Sequence, residues 1–296
     1  MLKKILAAFI LILSSQYLGA ITIEDNFIKD EKGNLTKVQE YKRIVVLDPA
    51  VIETLYMIGA EDRIVAIGTT AKSKIYPEDK TKDLPSVGNI VNISIEKVLS
   101  FSPDLVILTP MSSRTADNLK ALNIPVLVNE VGTLDDILKN IVIYGKITGK
   151  EKEAEELYNM ELKNLEDLRE NISKNPLNLK GTLLYSTSPM MAFNEKSLPG
   201  QIFNLLGVKN IADNLTGDKP IISSEFLLKE NPDFIAGSMA IKSSDDILNS
   251  NNIIKEVNAG KNKNIFIVDS TKILRGSPRI FEAINELYSE LKKIKK

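Results

Sequence analysis

The chain contains no histidine, no cysteine and no tryptophan. Without His or Cys there is no Ser–His or Cys–His nucleophile pair, no thiol redox centre and no His- or Cys-ligated zinc site. An excess of one charge sign is missing too: 38 Lys and Arg stand against 39 Asp and Glu in 296 residues, a formal net charge of −1. Such a balance gives no bulk attraction to nucleic acid or anionic lipid. There is no Gly-x-Ser-x-Gly nucleophile elbow, and Gly276-Ser277 runs into Pro278, which reads as a helix start. Low complexity is absent, which argues against a structural surface protein. What remains for chemistry is carboxylates, hydroxyls, amides, Lys, Arg, Tyr and Met. That inventory favours a binding protein over an enzyme, with an exported α/β hydrolase as the remote alternative.

What is present begins with an export pattern. Met1 to Lys4 are positively charged, Ile5 to Leu13 form an apolar run, and Leu18-Gly19-Ala20 offers a small-residue cleavage site. The run is shorter than the roughly 20 apolar residues of a membrane span. Residues 1–20 are therefore read as a signal peptide, cleaved near Ala20 to leave an extracytoplasmic, periplasmic chain. No cysteine follows to carry a lipid, so no membrane anchor is expected after cleavage. An exported chain without disulfides must be held by a substantial core.

The remainder reads as α/β. Residues 21–40 alternate weakly around the turn signal Lys32-Gly33-Asn34 and suggest a hairpin. Arg43 to Leu47, Arg63 to Ile67, Leu105 to Leu108 and Pro125 to Val128 are short apolar runs typical of strands buried on both faces. Pro49 to Met57 reads as a helix stopped by Gly59. From Thr133 to about Ile172 apolar residues recur at helical spacing, predicting one long helix or two consecutive ones with a break at Gly149. Strand-like runs resume at Thr182 to Tyr185, Phe234 to Ala236 and Ile265 to Val268, and Pro278 to Lys293 is amphipathic. The implied organisation is an N-terminal α/β lobe over residues 21–132, a helical linker over 133–174 and a C-terminal α/β lobe over 175–296.

A weak internal repeat relates the lobes. Ser94, Glu96 and Pro103-Asp104 in the first match Ser223, Glu225 and Pro232-Asp233 in the second, at identical spacing. In each, Ser caps a short helix, Glu sits in its first turn, and Pro ends the helix before a buried strand.

Taken together these segments resemble the substrate-binding proteins of ABC importers for iron–siderophore complexes, haem and cobalamin. The residues that carry the resemblance are Arg43 to Leu47 with Pro49 and Glu53-Thr54-Leu55; Ile58-Gly59-Ala60 with Asp62 to Val65; Val87-Gly88-Asn89; both Glu and Pro-Asp units; Leu206-Gly207-Val208; and Gly276-Ser277-Pro278-Arg279-Ile280. The resemblance implies two Rossmann-like lobes joined by a long backbone α-helix, with the ligand in the cleft between them. It implies a monomer that delivers its cargo to a transmembrane permease dimer and its ATPase. Glu96 and Glu225, the Glu of each lobe, would dock on permease arginines.

Ligands of open α/β sheets sit beyond the carboxyl ends of the strands. The candidate cleft residues are accordingly Pro49, Ala50, Tyr76, Asn89, Met111, Arg114, Met190, Met191, Met239 and Arg275. The methionines suit a large apolar ligand face, or else fill the core beneath the loops. Arg114 and Arg275, one per lobe, offer fixed bidentate donors to an anionic ligand. Haem binders of the family use Tyr or His as axial ligand, but no His exists here and Asn89 stands where some relatives carry Tyr. The cobalamin binders use Trp, which is absent. A ferric chelate needs no protein ligand, because its own oxygens fill the hard Fe(III) sphere. The expected cargo is therefore an iron(III)-siderophore, with cobalamin, haem or another metal complex as alternatives, and no cofactor or metal site of the protein's own.

Overall fold

The structure is a computed structural model that describes residues 21–70 and 73–294. The signal pattern at residues 1–20 lies outside the described residues. The first described segment is a three-stranded antiparallel sheet, one strand more than the expected hairpin: β1 (Thr22–Glu24), β2 (Phe27–Lys29) and β3 (Leu35–Lys37). Its second turn forms at Lys32-Gly33-Asn34, where the Asp30 carboxylate accepts from the Lys32 and Asn34 backbone N–H groups at 3.0 and 2.9 Å.

The N-terminal lobe alternates β4 (Ile44–Val46), α1 (Pro49–Met57), β5 (Ile64–Thr69), α2 (Glu78–Thr81), β6 (Ser86–Asn89), α3 (Ile95–Ser100), β7 (Leu105–Leu108), α4 (Ala116–Ala121) and β8 (Val126–Val128). The strands form a parallel sheet in the order β6-β5-β4-β7-β8. The β-branched runs form strands because both sheet faces are covered. Ile44 and Val46 pack into one core cluster, and Val45 and Leu47 into another on the opposite face.

Two helices follow, α5 (Leu134–Thr148) and α6 (Glu151–Lys174). Gly149 ends α5 in the left-handed conformation, φ +69°. The first helix packs on α1 of the N-terminal lobe, so α6 alone leads across to the second lobe. Its 24 residues make a rod of about 36 Å. The helices approach closely at Gly145, where an added Cβ would lie 2.4 Å from the Cβ of Ala154.

The C-terminal lobe contains β9 (Lys180–Thr187), β10 (Met190–Ala192), α7 (Leu198–Leu205), β11 (Lys209–Asn210), α8 (Ser224–Glu230), β12 (Phe234–Gly237), α9 (Ser244–Leu248), α10 (Asn258–Lys261), β13 (Ile265–Ile267), α11 (Ser270–Ile273) and α12 (Ile280–Ile294). Its sheet runs β10-β9-β12-β13 with β11 beside the start of β9, and only β10 is antiparallel. One buried cluster joins the two lobes through the helices, including Ile107, Ile141, Leu165, Phe234 and Ile284.

The internal repeat is a repeat of geometry. Ser94 and Ser223 cap α3 and α8, accepting from Lys97 N and Phe226 N at 3.2 and 3.1 Å. Ser102 and Asn231, each just before the proline, both sit at φ +45°. The carboxylates of Asp104 and Asp233 then accept from backbone N–H groups at the starts of the neighbouring strands, Asp104 from Lys42 and Arg43 at 2.7 and 2.9 Å and Asp233 from Lys180 at 2.9 Å.

Replacing Gly145 with Ala is expected to force α5 and α6 apart. The cost should be about 1–3 kcal/mol, the usual range for overpacking. Urea denaturation followed by circular dichroism measures it, and an unchanged midpoint would contradict this account of the helix junction.

Candidate functional site

The carboxyl ends of the parallel strands of both sheets face a common cleft of about 1440 Å³ between the lobes. In the N-terminal lobe the chain turns one way from β4 to β5 and the other way from β7 to β8, so the order reverses between β4 and β7. The loops at that switch point, Asp48-Pro49-Ala50 and Thr109-Pro110-Met111, line the cleft. The facing wall carries Tyr185 and Ser186 from β9, Met239 and Ala240 after β12, and Asp269 to Thr271 after β13. Tyr76, Met111 and Met239 are exposed, at 47, 59 and 43%, an unusual state for large apolar side chains grouped on one concavity.

The N-terminal floor is a polar chain. Asp48 caps α1 by accepting from Ala50 N at 2.8 Å, and its other oxygen accepts from Asn129 Nδ2 at 2.9 Å. Asn129 Oδ1 in turn accepts from Tyr144 Oη at 2.6 Å and Asn140 Nδ2 at 3.0 Å. Burial pushes the Asp48 carboxyl up, against the opposing effect of the Asn129 and Ala50 donors.

Glu53 on α1 is 0% exposed and joins the lobes at the cleft floor. Ser277 Oγ donates to it at 2.7 Å, Arg275 Nη1 binds it directly, Arg279 Nη1 lies at 3.4 Å, and Tyr76 N donates at 3.2 Å. Arg275 also donates to the Lys74 carbonyl at 3.0 Å and to Ser73 Oγ at 3.1 Å. The Arg279 guanidinium lies over the Tyr76 ring, 4.3 Å from its centroid. Three of these side chains, Tyr76, Arg275 and Arg279, are themselves part of the cleft wall.

Of the expected residues, Pro49, Ala50, Tyr76, Met111, Met239 and Arg275 line the cleft. Four others do not, and a fifth expectation changes. Arg114 lies in the 3-10 turn after β7 and is exposed outside the cleft; the Thr109–Ser112 capping box winds that turn so that Met111 is its cleft residue. Asn89 folds back to accept from Val91 N at 3.0 Å, leaving Ile90 at the cleft. Met190 is buried, at 7% exposure, in the outer core of its lobe, and Met191 is half-buried on β10 opposite Ser186. There the loop after β9 reverses into an antiparallel strand. Arg275 reaches the cleft, but its guanidinium is engaged by Glu53 and by the Ser73–Lys74 segment. Ser277 is buried against Glu53 and has no nucleophile geometry. Glu96 and Glu225 are both exposed, on α3 and α8.

Lys196, Lys219 and Lys242, none of them among the candidate residues although Lys242 ends the loop expected after β12, line the C-terminal wall. None makes an ion pair among the described residues, whereas Lys74 on the opposite wall pairs with Glu78 at 2.7 Å. Lys219 Nζ sits over the Tyr185 ring at 4.8 Å. Lys219 precedes Pro220 in a segment without strands, so no rule about strand ends finds it. Glu53 was legible only as part of the resemblance.

This is the architecture of a two-lobed α/β ligand-binding protein, with a large cleft between its lobes. A sequence model of the family described as periplasmic binding protein matches residues 44–271, and the chain belongs to that family. It is 29% identical over 275 residues to the uncharacterized ABC transporter substrate-binding lipoprotein YvrC of Bacillus subtilis, covering 90% of this chain and 84% of that one. It is 26% identical over 275 residues to the petrobactin-binding protein YclQ of the same species, covering 88 and 84%. Among solved structures, the periplasmic vitamin B12 binding protein BtuF of Vibrio cholerae superposes with a TM-score of 0.73 at 25% identity, covering 86% of this chain and 98% of that one. The chain is thus a substrate-binding protein of the ABC importer class.

Glu53→Gln should cost about 3 kcal/mol or more, the scale for removing one partner of a buried ion pair, read from urea unfolding. Arg114→Ala should leave both stability and ligand affinity unchanged, and a loss in either would overturn its placement outside the cleft.

Hydrogen bonding to Glu130, with burial and the Glu130 charge, pushes the Glu31 carboxyl from 4.5 up to about 7. The folded chain then holds more protons than the unfolded one between these values, so this contribution is full below pH 4.5 and is lost as pH rises towards 7. Glu31→Gln should flatten the fall in unfolding free energy across that window.

Proposed function

We propose that this protein is an exported, non-enzymatic binding protein that captures an anionic iron(III) chelate, an iron–siderophore complex, and hands it to a permease dimer powered by an ATPase. The observation that carries the cargo is the asymmetry of the cleft. The N-terminal wall offers apolar surface at Tyr76, Ile90 and Met111. The C-terminal wall offers three lysines without carboxylate partners, and on the floor Arg279 Nε is a buried donor without a partner among the described residues. A ligand that is apolar on one side and anionic on the other satisfies both walls. The cleft exceeds the usual pocket of about 300–1,000 Å³, a size suited to a chelate rather than a bare ion. The relative named for petrobactin binding supports the same class of cargo.

Cobalamin is the competing cargo, favoured by the apolar N-terminal wall and by the likeness to a vitamin B12 binding protein. Haem is the third, with Tyr76 and Tyr185 as the tyrosines on the cleft. Export follows from the signal pattern at residues 1–20. Docking on the permease is assigned to Glu96 and Glu225, the matching carboxylates of the two repeated units. The bland alternative is that each only complements its helix N-terminus, worth about 0.3–1 kcal/mol to folding.

Isothermal titration with a ferric tris-catecholate, a neutral ferric hydroxamate, cyanocobalamin and haemin decides the cargo. The tris-catecholate is expected to bind at 1:1 with an affinity that falls as salt rises. The Lys196→Gln/Lys219→Gln/Lys242→Gln variant should weaken it by about tenfold or more. Salt-independent binding of cyanocobalamin in preference to both ferric chelates would replace the cargo while keeping the role. For docking, Glu96→Ala with Glu225→Ala should leave ligand affinity normal and abolish uptake; normal uptake by the folded variant would remove the docking assignment.

A further inference from the structure

Outside the cleft, several large apolar side chains remain exposed, and two of them occupy equivalent places. Leu99 on α3 is 41% exposed and Leu228 on α8 is 48% exposed. Each lies three residues after the glutamate of its unit, Glu96 or Glu225, and so on the same helix face. One residue earlier the pattern inverts in both units: Val98 and Leu227 are fully buried at 0% and anchor their helices. Val91 and Ile221, 51 and 65% exposed, flank the same helices on their N-terminal side. A single exposed leucine is ordinary. Two in matched register, each beside an exposed glutamate in a unit whose caps, φ values and Asp clamps also match, are not explained by scatter. The exposed lysines do not match: Lys97 follows its glutamate by one residue and Lys229 by four. What the two lobes share on this face is a carboxylate and a leucine.

We infer that Leu99 and Leu228 are the apolar half of a two-point docking surface, each seating in an apolar pocket beside a cation on one half of a two-fold-symmetric membrane permease. The inference rests on the docking role given to Glu96 and Glu225, and it adds what that role lacks. Exposed charges steer encounter and set the association rate, whereas buried apolar contacts hold the complex and set its lifetime. Equivalent patches on two lobes fit a partner built from two equivalent halves.

The test uses the full mature protein and the permease–ATPase pair with which it restores uptake, held in lipid nanodiscs, with association and dissociation rates measured across a salt series. Leu99→Ser/Leu228→Ser is expected to raise the dissociation rate about tenfold or more and to leave the salt dependence unchanged. Glu96→Gln/Glu225→Gln should instead slow association and flatten the salt dependence. The partly conservative Leu99→Met/Leu228→Met variant should restore the lifetime. Because both leucines are only half-buried and lie outside the cleft, ligand affinity should stay at the wild-type value and the thermal midpoint should fall only slightly and equally with and without ligand, which separates docking from misfolding. A serine variant that dissociates like wild type while the glutamine variant fails to associate overturns the leucine inference and leaves the carboxylate docking intact. Wild-type rates in both variants overturn the docking reading and this inference with it.

Discussion

A fully buried carboxylate between two lobes is a demanding arrangement. Taking the charge of Glu53 out of water costs several kcal/mol even after relaxation, and only close, well-aimed donors offset it. Those donors come from Tyr76 in its own lobe and from Arg275, Ser277 and Arg279 in the other. The lobes therefore cannot separate at this point without stranding a buried charge and two guanidinium groups. A buried ion pair is weak support for net stability, because apolar residues of the same shape often serve as well. What it does supply is position. The groups that satisfy Glu53 are cleft residues, so the floor of the site is set by the same contacts that set the angle between the lobes.

The single helical crossing acts in the same sense. The α6 rod and the Glu53 cluster tie the lobes at separate places, and a continuous buried cluster fills the space between them. A helix bends less readily than a pair of extended linkers, and a packed core does not deform continuously. Both connections oppose a change in the angle between the lobes, and a cleft held open in this way lowers the ordering cost of binding. Its two walls differ in character: Lys196, Lys219 and Lys242, interspersed with Asp218 and Asp269, face the exposed side chains of Tyr76 and Met111.

Much of this was legible in the sequence, and the reasons for the rest are physical. The runs around Val45, Val106 and Ile235 announce strands because both faces are buried and the residues are apolar throughout. The segments Ser86–Asn89, Met190–Ala192 and Lys209–Asn210 became strands without such runs, being short and paired at sheet edges or beside the start of β9. Arg275 follows a strand-like run and so reads as a cleft residue, yet its partner Glu53 lies 222 residues away in the chain. No local pattern records such a pairing. The methionines divide similarly: Met239 stands at φ +61° in the turn after β12, at the cleft, while Met190 follows a hairpin into the core. Side-chain type was the same in both, and backbone path decided their fates.

The repeated unit shows why two lobes with few identical residues still present the same face. A residue before proline is pushed away from the right-handed helical region, and an L-residue in the left-handed region costs about 1–2 kcal/mol. Ser102 and Asn231 both occupy that region, at the same φ, immediately before Pro103 and Pro232. Each short helix is thereby stopped within a few residues of its exposed leucine, and the following Asp pins the chain to the next strand. Cap, strained stop and clamp together fix the orientation of a helix too short to be stable by itself. A plain connector between helix and strand needs no such triple constraint. Its recurrence in both lobes shows that the two units repeat a local geometry more closely than they repeat a sequence.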